Sequence, residues 1–515
     1  MATESLFGED RICGVVAART AREMWQQLRE AVRDTRTVEL RLDWLKNEQE
    51  LQVFLTRLGR TKFVRRAVLI ATCRRLDAGG HFSKGVTGQL AVLRRAIAAG
   101  CQWTDMEIES VQASAGFTRD LCIAGARRIL SFHDFAKTPK KSELARLSRR
   151  LERTAQAAGF EAVKIATRCD SIAESLRVLA LAHGKRNVIA VPMGESASAA
   201  RILMLRGGSA LAYAPVEVAT APGQVPLAEM TKLYRADKLD RQTRVYGVIG
   251  DPIEHSLSPV LHNTGFAARR VNAAYLPFLV RDLGDFVAAI ELLGIAGFSV
   301  TIPHKEHIVR HLDDCDALAA QIGAVNTVVV RGQGKLFGYN TDYVGVLRAL
   351  ERRMPIAGSR VLILGAGGAA RAVAFALARG GAAVAISARR MERARKLARA
   401  VHGEAIPRAA LRREFFDAIV NATPVGMYPH TSDSPLEARE LNCRLVFDTI
   451  YRPQRTKLLQ LAASRGIETV SGLDMFLAQG VAQWEIWTGE RAPEETMRRA
   501  VVAALRREVK GRGKK

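Results

Sequence analysis

Two residues in neighbouring apolar segments have side chains suited to imine chemistry. Lys164 lies in EAVKIAT, which is otherwise apolar, so burial is expected to lower the pKa of its amino group. A neutral amine is the nucleophile that forms a Schiff base with a ketone. His133 lies in SFHDF, one apolar segment earlier, and is suited to accept and return a proton. The alternatives are a lysine that extends to water from a strand end and a structural, hydrogen-bonded histidine.

Charged and amide side chains follow the other apolar segments of the first 230 residues. They are Glu39, Arg41, Arg74, Glu107, Arg201 and Gln224. Guanidinium groups bind carboxylates in a bidentate manner. Together with a lysine and a histidine, this set favours a lyase that forms an imine with an anionic substrate.

A glycine-rich segment, GAGGAAR (365–371), follows the apolar run VLIL and opens a helical pattern. Backbone N–H groups at the start of a helix suit a pyrophosphate, although an ordinary strand-to-helix turn has the same appearance. The candidate cofactor-binding residues of this turn are Gly365, Ala366, Gly367, Gly368 and Ala369.

The segment after this turn bears on the choice of nucleotide. The next strand pattern, AAVAIS, ends where an NAD site would carry an acidic residue, but Arg389 and Arg390 follow it, with Arg393 one turn later. Arginines at this position suit a ribose 2′-phosphate, so the sequence favours NADP. The alternative is three exposed arginines on a basic protein.

Small polar residues are dense in HSLSP, VTIPHK, IGAVN and GYNTD, upstream of the glycine-rich turn. The candidates for binding a polyol by hydrogen bonds are Ser256, Ser258, Thr301, Asn326 and Gln479. Lys305 and Asp342 are suited to form a proton-relay pair. Taken singly, the serines and the asparagine also suit turns and helix caps.

The elements that must position these residues alternate strand and helix. Eight strands are predicted at 12–18, 37–43, 67–73, 103–108, 128–133, 161–167, 187–193 and 209–214. Eight such units in about 220 residues predict a (β/α)8 barrel, whose functional residues lie at the carboxyl ends of the strands. The polar stretch TKLYRADKLDRQTR is the expected linker, and a second α/β region with a Rossmann-like nucleotide-binding part follows it.

Composition excludes several classes of protein. The chain has 515 residues, 48% of them hydrophobic, and no apolar run of membrane-spanning length. Seven cysteines without a CxxC pair indicate neither a disulfide framework nor a zinc site, and no metal is expected. The N-terminus lacks the apolar core of a signal peptide, so we expect a cytoplasmic protein.

The formal net charge of +25 has two interpretations. It suits nucleic-acid binding or anionic small molecules, but aromatic residues make up only 6% of the chain, and the concentrated basic run is the tail Arg506–Lys515. We therefore expect small-molecule partners and neither nucleic acid nor membrane.

The first half resembles the type I 3-dehydroquinate dehydratases over about residues 11–228. The resemblance is carried by ELRLD, TCR, SFHDF, VKIA and APGQ. It implies that Lys164 forms the imine, that His133 moves the protons and that Arg201 pairs with the substrate carboxylate. It further implies that Glu39, Arg41, Arg74 and Gln224 bind hydroxyl groups. In this family a glutamate that supports the histidine precedes the Gly-Gly pair, but here that position is Ala78, next to Asp77.

The second half resembles the shikimate dehydrogenases over about residues 244–490. NATPVGM, DTIY and GLDMFLAQ join the polar motifs in this resemblance. It implies that Lys305 and Asp342 handle the proton on a substrate oxygen while NADPH supplies hydride. The five polyol-binding candidates and Tyr451 would hold the substrate, and Thr423 and Gly472 would join the cofactor site. The SLS and VTIPHK motifs favour shikimate over quinate.

Together the halves resemble the fused bifunctional enzymes best known in plants. The expected domains are a dehydratase barrel at 1–230, a linker at 231–243 and a dehydrogenase at 244–515, with a substrate subdomain at 244–350 plus the C-terminal helices and an NADP-binding subdomain at 351–470. Two alternatives remain: a dehydrogenase with an impaired dehydratase half, and a metabolite-sensing regulator. Retention of all four candidate catalytic residues argues against the regulator.

Overall fold

The computed structural model describes residues 6–8, 10–61, 63–113, 125–217 and 222–512. Residues outside the described ranges include 1–5 and 9 at the N-terminus, Cys122, Ala221 of the APGQ motif and the last three residues of the basic tail. The chain divides into two compact units. One comprises Met1–Thr243 and Asn272–Leu293, and the other Arg244–Val271 and Gly294–Lys515.

The first unit contains a sheet of eight parallel strands. They are β1 Ile12–Val16, β2 Thr37–Arg41, β3 Val68–Thr72, β4 Trp103–Glu107, β5 Arg127–Asp134, β6 Ala162–Arg168, β7 Val188–Met193 and β8 Ala212–Pro215. All eight predicted strands are therefore confirmed. The last begins three residues later than predicted, because Ser209 lies in irregular backbone before the strand, where its hydroxyl donates to the Leu211 carbonyl.

The strands follow one another around the sheet in chain order, with β8 next to β1. At the remaining seam the Ala210 amide donates to the Val188 carbonyl at 2.9 Å, and the Ala190 amide to Ser209 Oγ at 3.1 Å. These bonds bring β7 against the segment that leads into β8. The predicted barrel is confirmed.

Helices cover the barrel because they are amphipathic. In the first of them Thr20 caps the N-terminus by accepting from the Glu23 amide, and Met24, Leu28 and Ala31 form its buried stripe. The helices of the barrel are α1 Ala21–Asp34, α2 Glu48–Arg60, α3 Gly85–Ala98, α4 Ile108–Gln112, α5 Lys141–Ala157, α6 Ile172–Leu179 and α7 Ser198–Ile202. Alternate residues of each strand face inward, so Lys164 and Ala166 of β6 line the interior of the barrel.

The second unit contains two further sheets. The strands at 244–339 are β9 Arg244–Gly250, β10 Ala273–Leu279, β11 Ile295–Val300, β12 Asp314–Cys315, β13 Thr327–Val330 and β14 Leu336–Tyr339, of which β10 belongs to the first unit. Within the second unit, β9, β11, β13, β14 and β12 are neighbours in that order, with β13 antiparallel to both of its neighbours. The strands of the second sheet are β15 Arg360–Leu364, β16 Ala383–Ser387, β17 Glu404–Ala405, β18 Phe416–Asn421, β19 Cys443–Asp448 and β20 Glu468–Ser471.

The second of these sheets is parallel throughout, in the order β17-β16-β15-β18-β19-β20. Its order reverses at β15, and the helix that follows β15 begins at Gly368. This confirms the Rossmann-like architecture predicted from the glycine-rich turn.

The helices from residue 244 onward are α8 Ser258–Arg269, α9 Leu283–Leu293, α10 Ala317–Ile322, α11 Asp342–Glu351, α12 Gly368–Arg379, α13 Met391–Ala400, α14 Lys457–Ser464, α15 Gly472–Thr488 and α16 Glu494–Arg512. The last two return to α8: a Cβ on Gly265 would lie 2.7 Å from the Trp484 ring and 3.4 Å from Met497 Sδ. Among the described residues, no helix is long and apolar enough to cross a membrane.

Candidate active sites

A pocket at the carboxyl ends of the barrel strands contains seven of the eight side chains predicted for the first half. The eighth, Glu107, is buried and pairs with Arg74 at 3.5 Å but does not line the pocket. The pocket is lined by Val15, Glu39, Arg41, Arg74, Gly79, His133, Phe135, Lys164, Ala166, Val191, Met193, Arg201, Tyr213 and Gln224. The barrel topology brings these distant positions together because successive parallel strands end at the same rim.

Lys164 is buried, and acidic groups accompany it. Its Nζ lies 3.0 Å from Asp105 Oδ2 and 3.7 Å from Glu39 Oε1. The same nitrogen lies 4.1 Å from the centre of the Tyr213 ring, a cation–π contact. The sequence predicted a lysine in apolar surroundings, and the structure corrects this description: the strand is apolar, but its neighbours supply two carboxylates.

A hydrogen-bonded cluster connects Lys164 to His133. Arg74 donates to Asp105 Oδ1 at 2.8 Å and to Ser131 Oγ at 3.0 Å, and its Nη1 lies 3.4 Å from His133 Nδ1. Burial and the nearby charges of Arg74 and Lys164 hold the pKa of His133 well below its usual range. His133 is thus neutral near pH 7 and can accept a proton.

Arg201 is a buried guanidinium for which the structure gives no ion pair among the described residues, and its Nε has no hydrogen-bond partner. Burial lowers the pKa of Arg201 to about 10. A buried cation in this state is costly, and an anion entering the pocket would relieve that cost. Arg41, in contrast, is held in a bidentate pair with Asp43 at 3.0 and 2.8 Å.

The turn that carries Ala78 lies close to His133 through an aromatic contact. A Cβ on Gly79 would lie 2.5 Å from the Phe135 ring, and that ring stacks on the His133 imidazole with centroids 5.7 Å apart. Asp77 is turned away, since its carboxylate pairs with Arg75 at 2.8 Å and is 65% exposed. Asp77 therefore does not replace the missing glutamate.

In the second unit Lys305 and Asp342 form the predicted pair. Lys305 Nζ donates to Asp342 Oδ2 at 2.5 Å, and Asn326 Nδ2 donates to the other oxygen, Oδ1, at 2.8 Å. Asp342 is buried and is the first residue of α11. Gln483 of α15 extends the network by donating to the Asn326 carbonyl at 3.3 Å.

The other predicted polar residues differ in their surroundings. Thr301 is half-buried beside Gly250, whose Cβ would lie 2.6 Å from Thr301 Cγ2. Ser256 accepts from the amide of Ser258, which is itself buried at the start of α8. Gln479 of α15 donates to the Phe476 carbonyl at 3.0 Å.

Tyr451 stacks on the Phe476 ring of α15, with centroids 4.4 Å apart. Gly472 begins that helix, and its Cβ would lie 2.2 Å from the Thr449 carbonyl oxygen, so only glycine fits this position. The DTIY segment and the start of α15 are therefore in direct contact.

The glycine-rich turn meets the Lys305 site directly. Gly365 has φ +114°, and its Cβ would lie 3.1 Å from Thr423 Cγ2. Gly367 precedes α12 with open space around it, and a Cβ on Gly368 would lie 3.2 Å from the Lys305 Cβ. Ala366 and Ala369 complete this half-buried turn. A nucleotide whose pyrophosphate is bound by this turn would therefore lie beside the Lys305 site.

The arginines after β16 suit a 2′-phosphate. Arg389, Arg390 and Arg393 are exposed, and the structure gives none of them an ion pair within the part of the chain it describes. Together with the open turn at Gly367, they fit NADP better than NAD. No group of three or more potential metal ligands occurs among the described residues.

Sequence reasoning missed several residues of these sites. Asp105 and Ser131 contact the lysine and arginine of the barrel, and Gln483 supports Asn326. Two spacings in the sequence could have identified them. Asp105 lies two positions before Glu107 on one strand, and Gln483 lies one helical turn after Gln479, so the members of each pair share a face of their element.

Comparison with known families agrees with this geometry. The family model "Type I 3-dehydroquinase" matches residues 12–241. "Shikimate dehydrogenase substrate binding domain" matches residues 248–328, "Shikimate / quinate 5-dehydrogenase" residues 348–428 and "Shikimate 5'-dehydrogenase C-terminal domain" residues 472–502.

Individual relatives cover one half or both. The chloroplastic bifunctional 3-dehydroquinate dehydratase/shikimate dehydrogenase of Arabidopsis thaliana is 35% identical over 89% of this chain and 78% of its own length. The NADP(+) shikimate dehydrogenase of Symbiobacterium thermophilum is 45% identical over 51% of this chain and 95% of its own length. A Thermus thermophilus shikimate 5-dehydrogenase, solved with NADP(H) and shikimate, is 35% identical over 51% of this chain and 100% of that chain, with a TM-score of 0.47.

A barrel with a buried lysine at its mouth, followed by a Rossmann-like unit, defines a two-enzyme chain, a lyase joined to an oxidoreductase. Both halves align with one relative along most of the chain. The chain belongs to the family of bifunctional 3-dehydroquinate dehydratase/shikimate dehydrogenases.

Proposed function

We propose that the barrel dehydrates 3-dehydroquinate to 3-dehydroshikimate through an imine on Lys164, and that the second unit reduces 3-dehydroshikimate to shikimate with NADPH. The observation that carries the proposal is one pocket that holds Lys164, His133 and the buried Arg201. An amine nucleophile, a neutral base and an anion-binding group are the three functions that this dehydration needs.

In the proposed dehydration the Lys164 amine attacks the ketone carbon, and water leaves as the imine forms. The protonated imine withdraws electrons and acidifies the neighbouring C–H bond. His133 removes that proton, for which its lowered pKa keeps it neutral. The hydroxyl group on the next carbon leaves as water with a proton from His133, and hydrolysis of the imine releases the enone.

Binding residues would fix the orientation of the ring. Arg201 is proposed to pair with the substrate carboxylate, since among the described residues the structure gives its buried guanidinium no ion pair. Glu39, Arg41, Arg74 and Gln224 are proposed to bind hydroxyl groups. Of these, Arg41 and Arg74 are already fixed by Asp43 and Asp105, so little conformational entropy is lost when substrate binds.

In the proposed reduction Lys305 and Asp342 manage the proton on the C3 oxygen. The Lys305 ammonium lies against Asp342 and can donate a proton to that oxygen as it gains charge. Asn326 fixes the carboxylate from its other side. When bound, NADPH supplies the hydride that this site requires.

The remaining candidates are proposed to bind substrate or nucleotide. Ser256, Ser258, Thr301, Asn326, Tyr451 and Gln479 would hold the carboxylate and hydroxyl groups. The turn from Gly365 to Ala369, together with Thr423 and Gly472, would hold the pyrophosphate and nicotinamide ends of NADP, and Arg389, Arg390 and Arg393 its 2′-phosphate.

The net charge supports the same partners. Both substrates are carboxylates and NADPH is polyanionic, so a positive field would raise their encounter rates. We propose small molecules as the partners, without nucleic acid, and a cytoplasmic location, which subcellular fractionation of the native host would test.

The test uses the purified chain and 3-dehydroquinate, first alone and then with NADPH. Enone absorbance should appear in the first reaction and should be consumed as NADPH is oxidised in the second. Quinate with NADP+, supplied separately, should react much more slowly than shikimate. If neither half turns over its substrate, the chain is not an enzyme of this pathway and a sensing role replaces the proposal.

A second candidate function is favoured by Ala78, where the family pattern has glutamate. In that case the second half is an active dehydrogenase and the dehydratase half is impaired. The same assay separates the two, because NADPH would then be oxidised with 3-dehydroshikimate but not with 3-dehydroquinate.

A further inference from the structure

Asp105 of β4 connects the two most important cations of the barrel pocket. Its Oδ2 accepts from Lys164 Nζ at 3.0 Å. Its Oδ1 accepts from Arg74 at 2.8 Å and from Ser131 Oγ at 2.7 Å. One carboxylate oxygen therefore serves Lys164, and the other serves Arg74 and Ser131.

The charge of Asp105 is fixed by its surroundings. The side chain is fully buried, and burial by itself raises the pKa of a carboxyl group. Arg74, Lys164 and His133 outweigh that effect and hold the pKa of Asp105 well below its usual range. The residue is thus an anion throughout the neutral range, in a site with little water to screen it.

Glu39 is the other acidic group near Lys164, but its carboxylate lies farther from the lysine nitrogen than that of Asp105. It lies 3.7 Å from Lys164 Nζ, and its Oε1 also accepts from Thr72 at 2.7 Å. Of these two carboxylates, Asp105 is the one within hydrogen-bond distance of the lysine.

We propose that Asp105 is the counter-ion of the Lys164 imine and keeps it protonated while the neighbouring C–H bond is broken. This inference rests on the proposed dehydration. The amine nitrogen becomes the nitrogen of the C=N bond, so the carboxylate that now accepts from Lys164 Nζ would face the positive charge of the protonated imine. A neutral imine would be a much weaker electron acceptor, because the electron pair of the C–H bond must end on that nitrogen.

Asp105 neither gains nor loses a proton in the proposed sequence of steps. The imine forms with loss of the ketone oxygen as water. The electron pair of the C–H bond moves into an enamine, and His133 takes the proton and passes it to the departing hydroxyl group. Hydrolysis then restores the ketone and the Lys164 amine, so the net reaction is loss of one water.

If Asp105 served only as an anchor for Arg74, its loss would lower the dehydration rate but would leave the alkaline limb of the pH–rate profile at the wild-type pH. A counter-ion predicts that this limb moves. Replacing Asp105 by Asn keeps the shape but removes the charge, and the protonated imine should then lose its proton at lower pH. We expect D105N to lower the maximal dehydration rate at least about 100-fold. We also expect the alkaline limb of its pH–rate profile to move down by at least about one pH unit.

Two variants accompany D105N. S131A removes a donor to Oδ1 and leaves Lys164 with Oδ2, so its alkaline limb should stay at the wild-type pH whatever its rate. D105E restores the charge with one more methylene, and its alkaline limb should return towards the wild-type pH. Thermal unfolding of each variant, followed by circular dichroism, reports whether the barrel has folded.

Borohydride trapping provides the second readout. With 3-dehydroquinate, wild-type chain should acquire a reduced adduct on Lys164, detected by mass spectrometry, and D105N should form it more slowly as pH rises. If the wild-type chain forms no adduct, the proposed dehydration fails and this inference fails with it. If wild type forms the adduct but the limb of D105N does not move, only the role of Asp105 is overturned.

Discussion

A Cβ placed on Gly368 would lie 3.2 Å from the Cβ of Lys305, so the first residue of α12 is in contact with the lysine of the second site. At this distance the neighbour must move by a few tenths of an ångström. Lys305 cannot move freely because its Nζ is bonded to Asp342. The glycine-rich turn therefore sets both the nucleotide position and the space that Lys305 occupies.

We expect Gly368→Ala to lower kcat for the reduction of 3-dehydroshikimate roughly tenfold, since small displacements of a proton donor are costly. Steady-state assays with saturating NADPH measure this. Gly367→Ala is the matched comparison, because open space surrounds Gly367, and its loss of kcat should be smaller. Equal losses would show that the contact with Lys305 is unimportant.

The exposed arginines after β16 should determine the choice of nucleotide. We expect R389A/R390A to raise KM for NADPH roughly 10- to 100-fold, the range of a lost charge-assisted hydrogen bond, with little change in KM for NADH. Arg395→Ala, an exposed arginine further along α13, is the control for general loss of charge. A parallel rise in both KM values would argue against recognition of a 2′-phosphate.

Introducing the family glutamate at Ala78 should improve the dehydratase. A carboxylate on this turn would offset Arg74 and raise the pKa of His133 towards neutrality, which strengthens it as a base. We expect Ala78→Glu to raise kcat for dehydration and to move the acid limb of its pH profile upward. Asp77→Asn is the control, because Asp77 pairs with Arg75 at the surface. An unchanged or lower kcat in A78E would refute this account.

The buried carboxyl of Asp448 should make stability depend on pH. It accepts from Asn421, Thr456 and the Ile450 amide, yet burial raises its pKa to about 6, above its ordinary value of 3.8. The folded chain therefore binds this proton more tightly than the unfolded chain. The stabilisation is complete below about pH 4 and is lost as pH rises through about 6.

Asp448→Asn is neutral at every pH, so its advantage over wild type should grow between pH 4 and 7. We expect its free energy of unfolding at pH 7 to exceed that of wild type by roughly 1–3 kcal/mol. Urea denaturation followed by dehydrogenase activity measures this for the second unit. Asp433→Asn changes an exposed carboxyl nearby and should leave the pH dependence as it is. A constant difference between D448N and wild type across this range would contradict the assignment.

The sequence by itself determined the classes of element and most of the residues in the two sites. Apolar segments that alternate with helical patterns predicted all eight barrel strands. A strand with the barrel interior on one face and helices on the other must be apolar along its length. The position of Gly365–Gly368 after VLIL predicted the Rossmann-like turn for an equally local reason. Lys164 and His133 were identified from residue type and from their place at strand ends.

Only the tertiary structure decided the electrostatic environment of these residues. Asp105 is 59 positions from Lys164, and no local pattern reveals that its two oxygens divide between Lys164 and Arg74. Likewise, Gly368 and Lys305 are 63 positions apart in the printed sequence, and their contact depends on how two sheets of one unit meet. Charge–charge energies depend on distances of a few ångströms and on burial, and the fold sets both of them through contacts between residues remote in the chain.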